Sequence, residues 1–352
     1  RVNALAVSPD GTVVAATTTI TARGWELATS IPEIAIDGGH DYLKAVAFAP
    51  SGALLGIAST DKTASVWDVT TGVPVAILPG HGSSVTAIAF SPVSPPGQVE
   101  VATGSLDGIA RIWDAVTGRP GITLSGHSSW IHALAYAPSG TMIATGSGDN
   151  TARTWDAATG AARATLRGHS GQVKAVSFAP DGSLLATASV DRTACVWDPL
   201  SGAHVRTLSG HDSWVYGVAF SPRGDVIATG SWDETARIWD AATGECLVTL
   251  AGHAGTVEAV AFSPSGKLLA TASSDATARL WDVASGAHLA TLVPLRSGGY
   301  ITLLPDACYK LDGDPGDCLW WAAGLRRLGP AEVSSHFPEV RRLPPDAPVL
   351  PA

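Results

Sequence analysis

The chain has 352 residues, of which 45% are hydrophobic and only 15% charged, and it carries a formal net charge of −9. That acidic balance argues against nucleic acid as a partner, which would call for a basic stripe on one face. Four scattered cysteines are too few for a disulfide framework, and no apolar run approaches the roughly 20 residues of a membrane helix.

Taken in order, Val2 to Ile36 holds short strand-like runs around Trp25-Glu26. From there a pattern takes over. Gly-His recurs at His40, His81, His127, His169, His211 and His253, and Trp-Asp at Trp67, Trp113, Trp155, Trp197, Trp239 and Trp281. The Trp spacing is 42 residues except for 46 between Trp67 and Trp113, where a Pro-rich turn, Val93 to Gln98, adds four. Within the sixth unit, Val215 to Phe220, Val226 to Gly230, Thr235 to Trp239 and Cys246 to Leu250 have strand character, separated by Ser-Pro-x-Gly and Thr-Gly turn pairs.

A fixed period of this length marks a repeat architecture. On its Gly-His and Trp-Asp pairs the chain resembles the WD40-repeat family over roughly residues 2 to 292. The resemblance implies an all-β fold, a seven-bladed β-propeller of four-stranded sheets. Inner strands are expected near Ala4, Ala45, Ala87, Ala133, Ala175, Gly217 and Ala259. The first unit is degenerate: it lacks Gly-His, has Thr19 where the others carry Asp, and has Glu26 after its Trp. His288 to Leu292 supplies the last unit's own outer strand, so the seam between last and first units is expected to lack strand exchange.

Residues 293–352 fall outside the period and form a C-terminal extension expected to pack on the propeller of residues 1–292, across that seam. Tyr300 to Leu304 and Tyr309 to Leu311 read as a hairpin, Leu319 to Leu328 as a packing segment, and Pro330 to Ser335 as the start of a short helix. Cys308 and Cys318 could meet across a turn. The Asp312 to Asp317 run has the acid spacing that opens a calcium loop but lacks the rest of the pattern, so it reads as a solvated turn. No metal and no cofactor is expected.

His, Ser and Asp recur in the same order in six units, as in His81, Ser105 and Asp107 or His211, Ser231 and Asp233. By residue type this is a hydrolase triad. Six copies, each followed by a strand Trp (Trp113, Trp239), make a scaffold the better reading. The resemblance implies that His, Ser, Asp and Trp hydrogen-bond in series within each of units two to seven. No enzymatic activity is expected.

Of twelve Trp, seven belong to the repeat and two to the extension. The remaining Trp130, Trp214 and Trp232 occupy loop positions the repeat does not require. Together with His132, Lys174, Tyr216 and, more weakly, Tyr42, they are the candidate partner-binding residues, all on the Gly-His loop face. The competing reading folds these rings back on their own blades. The expected function is a protein or peptide interaction platform. Arg1 in place of Met and the Arg- and Ala-rich composition suggest the C-terminal sensor or docking part of a larger, cytoplasmic, bacterial signalling protein with upstream domains. Rival readings are an assembly subunit whose tail clasps a neighbour, and a receptor or enzyme at the central channel.

Overall fold

The computed structural model describes residues 4–10, 13–17, 21–26, 32–37, 41–94, 97–294, 300–306, 308–312, 321–323, 326–328 and 341–343. Among them every regular element is a strand, and no helix is long and apolar enough to cross a membrane. Four consecutive strands form each of seven antiparallel sheets, which we letter A (residues 4–37), B (43–78), C (85–125), D (131–166), E (173–209), F (215–250) and G (from 257).

Sheet F shows why these residues fold this way. Its strands are Val215–Phe220, Val226–Ser231, Ala236–Asp240 and Cys246–Leu250, within a residue or two of the sequence expectation. Pro222 presets one turn residue, and Gly224, at φ +75°, closes the turn by donating its N–H to the Ser221 carbonyl at 2.9 Å. The second strand is buried on both faces and is therefore made of Ile, Ala, Thr and Gly rather than alternating residues. The fourth is exposed along most of its length.

The core lies between neighbouring sheets. Ala186, Ala194, Val196 and Leu208 of sheet E pack with Val215, Phe220, Ile227 and Trp239 of sheet F, and the arrangement repeats around the molecule. Each inner strand packs on the next, and Ala4–Val7 packs on both Leu43–Phe48 and Val257–Phe262, which closes the ring.

Two expectations need correction. Seven blades, the first of them degenerate, were expected, but only six sheets, B to G, are blades of the repeat. Sheet A has the same strand order without the Gly-His loop and Asp that tie a repeat together. The extension, in turn, does not lie across the A–G seam where its strands are described. Tyr300–Leu303 pairs antiparallel with the outer strand His288–Pro294, Cys308–Asp312 pairs with Tyr300–Leu303, and Arg341–Arg342 follows. An unpaired outer edge exposes hydrogen-bonding groups, and these strands cover it. They also bury Ile301 and Tyr309 to 1% exposure. Each four-stranded unit is built from consecutive strands, so no strand is exchanged across the seam. Trp321–Ala323 and Arg326–Leu328 form a separate small hairpin. The helix expected near Pro330, the acidic run beyond Asp312 and Cys318 lie outside the described residues.

Candidate functional site

In sheets C to G the repeat's polar residues converge, but through a different hydroxyl from the one the sequence suggested. His Nδ1 lies 2.7–3.0 Å from an Asp carboxylate in the pairs 81/107, 127/149, 169/191, 211/233 and 253/275. The other ring nitrogen faces Thr103, Thr145, Thr187, Thr229 or Thr271 at 2.7–2.8 Å. The same threonine accepts from the strand Trp at 2.8–2.9 Å. Indole N–H can only donate, so beside a neutral imidazole the threonine hydrogen is given to His Nε2 and His Nδ1–H donates to the carboxylate; in sheet E, Thr187 Oγ1 also lies 3.4 Å from the Cys195 carbonyl, to which it can donate. All five threonine hydroxyls belong to residues with 0% exposure. A hydroxyl committed on both sides and sealed from solvent is no nucleophile; it satisfies buried polar atoms.

Ser105 and Ser231, expected in the relay, are therefore corrected to Thr103 and Thr229. The serines stand two residues on, at the strand end, where Ser231 donates to the Ser213 carbonyl at 3.3 Å and accepts from Asp233 N–H at 3.1 Å. The relay also occurs in five sheets rather than six. In sheet B Ile57 occupies the threonine position, so Trp67 donates instead to Ser65 at 2.8 Å. His40 lies outside the described residues.

Each Asp binds twice more. One oxygen takes the N–H after the His, as in Asp212 to Asp233 at 3.0 Å, and the other takes the N–H two residues ahead, as in Thr235 at 3.0 Å. This tight turn forces the residue after Asp into the left-handed region. Lys62, Asn150, Arg192, Glu234 and Ala276 all have φ between 66° and 75°, and only sheet C uses glycine there, Gly108.

These contacts set the charges. Burial opposes ionisation of Asp149, but Thr151 and His127 outweigh it and hold the carboxyl at about 2; Asp107, Asp191, Asp233 and Asp275 are held low in the same manner. Burial depresses His81 and His127 despite their Asp partners. A depressed carboxylate contributes stability above its unfolded value near 4 that is lost as pH falls through its folded value. A depressed imidazole likewise contributes above about 6.5, and its contribution declines as the unfolded state gains protons. Both signs point the same way, while His169, raised above its ordinary value, acts against them. Melting followed by circular dichroism is expected about 10 °C lower at pH 3 than at pH 7; a flat profile would contradict five paired carboxylates.

Sheet E departs from the others. Its relay threonine faces Cys195 across the strands, where sheets C, D, F and G have Arg111, Arg153, Arg237 and Arg279. Arg153 and Arg237 lie over the Trp155 and Trp239 rings at 6.0 and 5.9 Å. Burial alone would lower His169, but Asp191 and Cys195 Sγ, the latter 4.0 Å from Nδ1, push it up to about 9.

The candidate partner-binding residues lie on the loop face, and the backbone shows why. Trp232 N–H donates to the Trp214 carbonyl at 2.8 Å, and Gly148 N–H to that of Trp130 at 2.8 Å, so the pre-strand loop and the Asp turn meet. Tyr216, His132 and Lys174 share a further device. Each inner strand slips register there, between Val215 and Gly217, Ile131 and Ala133, and Val173 and Ala175. The unpaired residue of a bulge is re-aimed out of the ladder.

Two clusters result. Trp214, Tyr216 and Trp232 contact one another, with Trp214 edge-on to Trp232 at 4.2 Å between ring centres and Tyr216 at 6.3–6.4 Å from both. Trp130 packs edge-on to His132 at 6.2 Å, and Lys174 Nζ reaches His132 Nε2 at 3.1 Å and Gln172 Oε1 at 2.8 Å. Burial and then the Lys174 charge push His132 down to about 4, so it is the acceptor for that ammonium. Tyr42, on sheet B, is exposed and joins neither cluster. Trp130, Trp214 and Trp232 keep 51%, 40% and 46% of their surface in solvent, so packing among themselves has not hidden the rings. Among the described residues no group of His, Cys, Asp and Glu is placed to hold a metal.

Comparison with protein-family models matches the WD domain, G-beta repeat, at residues 33–68, 72–114, 118–156, 160–198, 202–240 and 244–282. The first match begins within the last strand of sheet A, so that sheet is not itself one of the six repeats. No curated protein matches the chain.

Proposed function

Because the chain belongs to the WD40-repeat family, we propose that it is a non-enzymatic recognition platform whose Gly-His loop face binds a protein or peptide through Trp214, Trp232, Tyr216 and Trp130. Propellers of this family generally serve protein or peptide interaction. The observation that carries the proposal is three exposed indoles at positions the repeat leaves open. Large exposed rings add nothing to folding, and aromatic anchors beside polar groups are the composition of binding hot spots. The relay beneath holds the loops in one conformation, which lowers the ordering cost of association. His132 and Lys174 supply the polar neighbours on one side.

A pull-down comparing the wild type with a Trp214→Ala/Trp232→Ala double variant tests this. The variant is expected to melt as the wild type does and to lose roughly tenfold or more of its bound partner. Unchanged recovery of every bound protein would reject the rim as the binding surface.

A further inference from the structure

The aromatic cluster of sheet F carries a charge pattern that the other sheets lack. Asp212 stands two residues before Trp214, and Glu234 two residues after Trp232. The backbone brings the two loops together: Trp232 N–H donates to the Trp214 carbonyl at 2.8 Å, and Asp212 N–H to the Asp233 carboxylate at 3.0 Å. Both acids are exposed, and among the described residues neither carboxylate has an ion pair or hydrogen bond. In sheets C, D, E and G the residue after the relay His is Gly82, Ser128, Ser170 or Ala254, and the residue after the relay Asp is Gly108, Asn150, Arg192 or Ala276. Sheet B pairs Asp41 with Lys62. Acids at both places therefore belong to the one sheet that also carries the indole pair.

The surrounding charges are few. The loops of sheet F itself, residues 210–216 and 231–235, hold no Lys or Arg. Sheet E brings Arg192 and Lys174 to this face, and the Lys174 ammonium is taken up by His132 and Gln172. The loops of sheet G, residues 252–258 and 273–277, bring Glu258 and no Lys or Arg. The rings add a preference of their own, because the face of an aromatic ring is its negative side. Trp214, Trp232 and Tyr216 are inclined at 55–64° to one another, so no two of them stack and their faces are not spent on each other. Elsewhere in the chain the guanidinium groups of Arg153 and Arg237 already lie over indole rings, at 6.0 and 5.9 Å.

Taking the aromatic rim as the partner-binding surface, we propose that the sheet F cluster receives a cationic side chain, the ammonium of lysine or the guanidinium of arginine, from a basic segment of the bound peptide. The cation lies against the indole faces, and Asp212 and Glu234 meet its charge. A neutral aliphatic side chain would cover the rings and leave both acids unmet. A carboxylate would face two like charges and the negative side of the rings.

NMR of the full chain tests this through the indole N–H signals of Trp214 and Trp232, each assigned by its loss on substitution with leucine. The probes are capped Gly-Lys-Gly and Gly-Arg-Gly peptides, with norleucine or glutamate in the central place as controls. At least one basic peptide is expected to shift both signals saturably, with a Kd on the order of 1–10 mM, and more weakly at high salt. Asp212→Asn/Glu234→Gln should weaken it about fivefold. Trp232→Leu, read at Trp214, should weaken it roughly fivefold. Glu245→Gln removes an exposed acid at the opposite end of the same sheet and should change nothing, which separates local from total charge. Unaltered melting confirms that the variants fold. No saturable shift up to about 20 mM, an equal shift by the norleucine peptide, or indifference to Asp212→Asn/Glu234→Gln overturns the proposal. The pull-down above needs no charged probe, so loss of partner there without a shift here rejects the cation and keeps the rim.

Discussion

Thr229→Val is expected to lower the unfolding free energy by about 3 kcal/mol, against about 1 kcal/mol for Ser231→Ala. Valine keeps threonine's shape, so no cavity opens. What is lost is the one oxygen that serves both Trp239 Nε1 and His211 Nε2, each 2.8 Å away and each buried. Two orphaned groups then carry a desolvation penalty of about 1–3 kcal/mol each. Ser231 makes longer bonds at the strand end, to groups nearer the loop. Urea midpoints for the two variants decide between them. Equal losses would mean that the threonine is not the centre of the relay. Thr103→Val and Ser105→Ala should repeat the difference in sheet C, since the geometry there is the same.

The extension is expected to be as consequential. A chain ending at Pro294 should melt at least about 10 °C lower than the full chain and gain mass in light scattering. Ending there uncovers the hydrogen-bonding edge of His288–Pro294 and removes the cover provided by the buried Ile301, Cys308 and Tyr309. Tyr309→Ala isolates the packing part of this effect and should cost about 3–4 kcal/mol, as expected for deleting a large buried ring. If the shortened chain stays monomeric with an unchanged melt, the added strands are decoration. The described strands extend their own sheet G.

The family, the four-strand unit and the inner-strand positions follow from the chain alone, because every copy repeats the same local rules. Alternating apolar residues make the strands, Ser-Pro-x-Gly makes the turn, and the Trp at a fixed offset must be buried by the preceding sheet. Even the rim tryptophans stood out by subtraction, as aromatic residues in slots the repeat leaves free. Other choices belonged to three dimensions. The position of Thr229 is threonine in five units and that of Ser231 serine in six, and, two residues apart, the two point to the same side of the strand; only the height at which Trp239 and His211 arrive selects the threonine. The slots of His132, Lys174 and Tyr216 look like ordinary strand positions until the register slip turns them out of the ladder. The extension's docking edge depends on strands brought together from separate parts of the chain, which no linear spacing encodes. Periodicity specifies what each unit is, whereas the three-dimensional contacts within and between units decide which of its polar groups are spent on the fold and which side chains stay exposed.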